Sequence, residues 1–294
     1  MKIHLADRAG FCFGVKRAIN TAFQAVGKGR VYCLGPLIHN PQEVERLRSE
    51  GVETVEDFAS LKPGDSLIIR SHGVPPQVLA QARDKGLKII DLTCPFVGKA
   101  QRDAKTLHDE GYQVVVVGEK KHPEVQSILG YAGDHAVVVE TPQDVEILTL
   151  KSRIGIVAQT TQSYGNFSEI VLTLLRISKE LKVFNTICSS TKERQDAARV
   201  LAEQVDVMIV VGGRNSANTT RLATLCRETG KPAYHIEVAG EIRPEWLASV
   251  ESVGVTAGAS TPDWVVEGVI EKLQQLDKAS NRRTTDGSGQ SDGA

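Results

Sequence analysis

The 294-residue chain contains no apolar run long enough to cross a bilayer. Its longest runs, at residues 114–117 and 207–211, span four and five residues, where a spanning helix needs about 20. The N-terminus, MKIHLADRAG, carries charges where a secretion signal keeps an apolar stretch. There is no surplus of positive charge: 35 Lys and Arg stand against 36 Asp and Glu, which argues against a nucleic-acid partner. Gly-x-Gly-x-x-Gly and Walker sequences are absent, so nucleotide binding has little support. Five cysteines, none two residues from another, fit neither a disulfide framework nor a zinc ribbon. What remains is an ordinary globular mix, 41% apolar and 24% charged. It reads as a cytoplasmic protein with neither a membrane nor a nucleic-acid partner.

Eleven short β-rich runs alternate with helical periodicity. They fall at residues 3–6, 31–34, 66–70, 87–92, 113–117, 136–140, 153–158, 182–187, 205–211, 233–237 and 252–256. Several are nearly continuous Val and Ile, as in parallel sheets covered on both faces. Val15, Ala18, Ile19, Ala22 and Val26 make one helical stripe. Asn40-Pro41-Gln42-Glu43 supplies an N-cap, a proline at the first helical position and a glutamate three residues after the cap. Gly51, Gly86, Gly111 and Gly230 sit where helices end. The alternation predicts an α/β protein with right-handed crossovers. From Lys278 the chain turns polar and is rich in Gly and Ser, predicting a disordered tail over 278–294.

A weak repeat surrounds three cysteines: GFCFGVKRA, LTCPFVGKA and TICSSTKER. Each puts a cysteine after a strand and at the start of a helix, with a lysine four or five residues later. The spacing predicts three α/β units, at 1–94, 95–184 and 185–277, packed about a shared centre. A thiolate at a helix N-terminus is stabilised by unpaired amides and the positive dipole end. Cys12, Cys94 and Cys188 could together bind a metal or an iron–sulfur cluster, leaving one coordination position open for catalysis. Cys33, inside a strand, and Cys226, on a helix beside Leu222 and Leu225, read as core.

The other strand ends offer His39, His72, His122 with Glu124, Thr160, Ser216 with Asn218, and Ser260. Ligands of open α/β sheets bind beyond these ends, and such donors suit a phosphate or diphosphate. Glu124, the one carboxylate in the set, is a candidate proton donor. His4, His108 and His235 lack this setting.

GFCFGVKRAI, LGPLIHNPQEVERL, RSHGVPP, DLTCPFVGKAQ, HPEV, AQTTQS, NTICSSTKERQDAA, VVGGRNSANTTRL and GVTAGASTPDWVV together resemble the 4-hydroxy-3-methylbut-2-enyl diphosphate reductases, in order from Cys12 to about Leu276. The resemblance implies three small parallel-sheet α/β units arranged as a trefoil around a central 4Fe–4S cluster, one per chain, held by Cys12, Cys94 and Cys188. It implies that His39, His72, His122, Ser216, Asn218 and Ser260 hold the diphosphate, that Thr160 orients the hydroxyl, and that His122 and Glu124 belong to the catalytic set with Glu124 delivering protons. The implied reaction ends the non-mevalonate isoprenoid pathway. It removes an allylic hydroxyl with two electrons and two protons, giving isopentenyl and dimethylallyl diphosphates, with ferredoxin or flavodoxin as electron donor. Two positions depart from the family's pattern: Ala217 follows Ser216 where a second serine is common, and Lys121 precedes HPEV where glycine is common. A non-catalytic iron–sulfur sensor and a zinc hydrolase built on three cysteines are the competing readings. A sensor has no use for the histidine and hydroxyl cradle, and three thiolates suit iron–sulfur chemistry better than zinc hydrolysis.

Overall fold

Twelve strands form three four-stranded, wholly parallel sheets in a computed structural model that describes residues 1–27 and 30–286, with side chains described up to residue 279. The chain opens with β1 (Lys2–Leu5) and α1 (Phe13–Ala25). β2 (Val31–Leu34), α2 (Pro41–Ser49), β3 (Val52–Val55), β4 (Ser66–Ile69), α3 (Pro76–Asp84), β5 (Lys88–Asp91) and α4 (Pro95–Asp109) follow. Next come β6 (Gln113–Val117), α5 (Pro123–Leu129), β7 (Val137–Val139), α6 (Pro142–Glu146), β8 (Arg153–Ala158), α7 (Tyr164–Ile177) and β9 (Glu180–Val183). The last elements are α8 (Ser189–Gln204), β10 (Val207–Val211), α9 (Ala217–Glu228), β11 (Ala233–Ile236), β12 (Ser252–Ala257) and α10 (Asp263–Asp286).

The chain divides into two compact units. Residues 12–192 hold two sheets, ordered β3-β2-β4-β5 and β7-β6-β8-β9; residues 1–11 and 193–294 contain the third, β1-β12-β10-β11. Sheets covered on both faces explain the runs of Val and Ile. On β10, Val207, Ile209 and Val211 enter one core cluster and Met208 and Val210 the opposite one, all five at most 1% exposed. β6 and β8 are divided in the same way. At ~25 cal/mol per Å², such two-sided burial is what commits these runs to central strands.

Helix boundaries follow local chemistry. Asn40 caps α2 by accepting from Glu43 N at 2.9 Å, with Pro41 at the first helical position. Gly51, Gly86, Gly111 and Gly230 all take positive φ, the left-handed turn that ends a helix.

The sequence pattern misses four features. β3 reads Val-Glu-Thr-Val, an edge strand with one buried residue, too short for its alternation to register. β9 starts at Glu180 rather than Lys182 and ends at Val183, because pairing with β8 over Arg153–Ile156 fixes its register. β1 pairs with β12, so the amino-terminal strand lies in the sheet of the last segment rather than with residues 31–91. α10 continues to Asp286, past the polar change at Lys278, since no glycine or proline interrupts it before Gly287. Residues 287–294 of the expected tail lie outside the described residues. No described helix is long and apolar enough to cross a membrane.

Candidate functional site

All eleven candidate positions sit past carboxyl ends of β-strands or at the helix starts that follow them, eight in one compact unit and three in the other. In the first, the three cysteines open helices. Cys12 caps α1, its Sγ accepting from Val15 N at 3.5 Å. Cys94 caps α4, facing the amides of Phe96 and Val97; Cys188 directly precedes α8, facing those of Ser190 and Thr191. A Cβ placed on Gly14 would lie 2.8 Å from the Cys94 sulfur and 3.9 Å from that of Cys12, so both sulfurs surround one point on the first turn of α1. Glycine there is what lets them approach.

Burial pushes the Cys94 and Cys188 thiols up, and the helix-start amides pull them back. The neighbours add to the rise: Cys12 and Cys188 act on Cys94, and Cys12 and Glu124 act on Cys188. Three neighbouring thiols, two of them held up by burial, are a donor set that suits a soft metal centre. The residues therefore fit an iron–sulfur group. Cys33 and Cys226 are at most 1% exposed, their thiols pushed up to about 12 and about 11 mainly by burial, and neither is placed to ligate.

Glu124 and Thr160 form a buried pair next to this set. Thr160 donates to both carboxyl oxygens, from its amide to Oε1 at 2.6 Å and from its hydroxyl to Oε2 at 2.9 Å. Burial outweighs these bonds and raises the carboxyl to about 7. The Thr160 carbonyl in turn accepts from Cys188 N at 3.0 Å, so the acid is one residue removed from a candidate ligand.

His39, His72 and His122 face one another, ring centroids 4.5–5.3 Å apart. His122 caps α5, its Nδ1 accepting from Glu124 N at 3.1 Å, which puts the ring proton on Nε2. Both ring nitrogens of His39 and Nδ1 of His72 are buried without a protein partner. Burial, then Arg70, lowers His39 to about 4; burial, the other two imidazoles and Arg70 hold His72 well below the ordinary range. One ligand atom from each ring lies within 4.8 Å of the others, a spacing that a cation or a diphosphate could bridge. The nearby Arg70 guanidinium favours the anion. Arg70, which follows β4 and leads into Ser71-His72, acts electrostatically on two of these rings and is absent from the strand-end reading.

The second unit holds Ser216, Asn218 and Ser260. Ser216 caps α9, accepting from Thr219 N at 3.3 Å. Asn218 is 4% exposed, and neither amide atom of its side chain has a partner. Ser260 is half-buried on the turn after β12, where Thr261 Oγ1 donates to Val211 O at 3.0 Å and so ties that turn to the end of β10. A Cβ on Gly212 would lie 2.6 Å from Thr261 Oγ1 and 2.8 Å from Thr219 Oγ1, which brings the α9 start and the Ser260 turn together. Orphaned amides at a helix start are suited to an anion. Ala217 is buried in the first turn of α9, and Lys121 is exposed on the loop before α5.

The family model described as LytB protein matches residues 3–274. The 4-hydroxy-3-methylbut-2-enyl diphosphate reductase of Pelobacter propionicus is 50% identical over 279 residues, 95% of this chain and 99% of that protein. The reductase of the same name from Geobacter sulfurreducens is 50% identical over 278 residues, 94% and 98%. A solved (E)-4-hydroxy-3-methyl-but-2-enyl diphosphate reductase, described as the terminal enzyme of the non-mevalonate pathway, matches with TM-score 0.69 and 48% identity over 94% of this chain and 100% of that one. The E-1-hydroxy-2-methyl-but-2-enyl-4-diphosphate reductase of Plasmodium falciparum matches with TM-score 0.89 and 29% identity over 93% and 88%.

Proposed function

The chain belongs to the LytB protein family, and from that premise we propose that it reduces (E)-4-hydroxy-3-methylbut-2-enyl diphosphate to isopentenyl and dimethylallyl diphosphates. One observation carries the mechanism: Thr160 bonds the buried Glu124 carboxyl through its amide and hydroxyl while its carbonyl accepts from Cys188 N at 3.0 Å, which links the acid to the three-cysteine set. Cys12, Cys94 and Cys188 would hold a 4Fe–4S cluster, which when bound would supply a Lewis-acidic iron and a route for electrons. The reaction consumes two electrons and two protons, breaks the allylic C–O bond and releases water.

Glu124 holds a proton at neutral pH and gives it to the departing hydroxyl, turning a poor leaving group into water. Thr160 bonds the carboxyl through its amide and hydroxyl, and the hydroxyl orients the substrate's own. His39, His72 and His122 take the diphosphate, His122 donating from Nε2, and Ser216, Asn218 and Ser260 serve the same group. Binding energy at the inert diphosphate fixes the reacting carbon, so affinity at one end orients the other. Ferredoxin or flavodoxin supplies the electrons, and the work is done in the cytoplasm.

Iron and acid-labile sulfide analysis of protein purified without oxygen tests this reading. Three to four irons per chain are expected, with substrate-dependent oxidation of a reductant. Cys12→Ser, Cys94→Ser and Cys188→Ser each lose the cluster, while Cys33→Ser and Cys226→Ser keep it. Zinc in place of iron, or a full cluster in any of the first three variants, would overturn the assignment.

A further inference from the structure

Large apolar side chains beside the thiols stand in solvent. Phe13, next to Cys12, is 71% exposed, and Phe96, two residues after Cys94, is 38% exposed. They are rooted in one small area. The Cys12 and Cys94 sulfurs surround the same point at Gly14, and Arg17 of α1 donates to Thr93 O at 2.7 Å, which fixes the start of α1 against that of α4. Exposed aromatics rooted side by side are the kind of apolar patch that marks a contact surface.

Charge singles out the same area. The chain is balanced overall, yet residues 12–26, which contain α1, hold Lys16 and Arg17 and no acid. Residues 92–102 contain Lys99 and Arg102, again with no acid, and Lys192 follows Cys188. None of α1, α4 and α8 has an acidic residue in its first turn, although the helix dipole favours one there. Lys16, Lys99, Arg102 and Lys192 are exposed. Of the flanking acids, Asp91 accepts from Thr93, Asp103 pairs with Lys99, and Glu193, next to Lys192, pairs with Arg8.

We infer that Phe13 and Phe96, with Lys16, Lys99, Arg102 and Lys192 around them, form the docking surface for a small acidic one-electron carrier protein. The inference rests on the reading of the three cysteines as cluster ligands. Each turnover breaks one C–O bond and consumes two electrons, and the chain has no flavin or nicotinamide motif to store them. Two reduced carrier molecules must therefore each give up one electron in turn, being oxidised as the substrate is reduced. Opposite charge speeds and orients such encounters, while the apolar centre holds the complex.

Purified ferredoxin is the probe, with dithionite-reduced methyl viologen as a reductant that needs no docking. Two double variants are compared with the unsubstituted holoenzyme: Phe13→Ala with Phe96→Ala, and Lys16→Glu with Lys99→Glu. Ferredoxin-driven kcat/KM and ferredoxin affinity fall by about tenfold in each, and the lysine pair also loses salt dependence. Iron content and viologen-driven turnover stay within about twofold. Unchanged ferredoxin-driven rates overturn the proposal. So does an equal loss by both routes with iron retained, which would make these residues servants of the cluster rather than of a partner. Failure of viologen-driven turnover in the unsubstituted protein would instead bring down the proposed function itself.

Discussion

Glu124 shows how one residue's surroundings set its chemistry. An exposed glutamate is ionised at neutral pH and has no proton to give. Enclosed and facing Thr160, this one is raised to about 7 and keeps a proton available. Glu124→Gln preserves the shape and removes the proton, so substrate still binds while turnover falls by about 100-fold or more. The wild-type rate should also decline as pH climbs through about 7, and the variant should lose that limb; near-normal turnover removes Glu124 from the role. Stability gives a second readout. Between the usual carboxyl value of 4.5 and about 7 the folded state binds more protons than the unfolded chain, so this group's contribution falls as pH rises through that window. Replacing it with glutamine should therefore raise Tm more at pH 8 than at pH 5. A pH-independent Tm difference would mean that the carboxyl is not raised.

At the scale of elements, the site depends on a strand continuing after its ladder has formally ended. β9 stops at Val183, yet Phe184 N donates to Ile156 O at 2.9 Å and Cys188 N to Thr160 O at 3.0 Å. Between them, the buried Thr186 hydroxyl bridges both sides of Ala158, accepting from its amide at 2.8 Å and donating to its carbonyl at 2.6 Å. Thr186→Val keeps the shape and strands two buried backbone groups, a loss of about 1–3 kcal/mol by denaturant titration. On the proposed cluster assignment, loosening this bridge also loosens the segment that seats Cys188 against Thr160, and the variant should lose iron faster on exposure to air. Wild-type stability would refute the bridge. This splice explains a limit of legibility. The run at 182–187 reads as one strand because its composition is uniformly strand-like, whereas its register is set by β8, which is distant in sequence. The cysteines were easier to read, since strand, cysteine and helix start are contiguous. Arg70 was passed over because a basic residue closing a strand looks like any solvated terminus until its imidazole neighbours are seen.

At the scale of the whole molecule, alternating patterns announce three parallel sheets, but the return of β1 to pair with β12 leaves no trace in composition, because the four residues Lys-Ile-His-Leu, mostly exposed at a sheet edge, do not specify a partner. Proton linkage is likewise a property of the entire protein. His39 sits at about 4 when folded and near 6.5 when unfolded, so between those values the unfolded chain binds more protons and stability rises with pH. Glu124 contributes the opposite slope between 4.5 and about 7, so neither group alone sets the optimum. A bound diphosphate changes the balance: its charge favours protonated imidazoles against the Arg70 field that now opposes them. Isopentenyl diphosphate should therefore bind with net proton uptake at pH 6, measured by calorimetry in buffers of different ionisation enthalpy, and the uptake should shrink in His39→Gln. Binding without uptake, equal in the two proteins, would take His39 out of the anion site and leave the histidine cluster free for a cation. The buried, partnerless ring nitrogens and the neighbouring guanidinium argue for the first outcome.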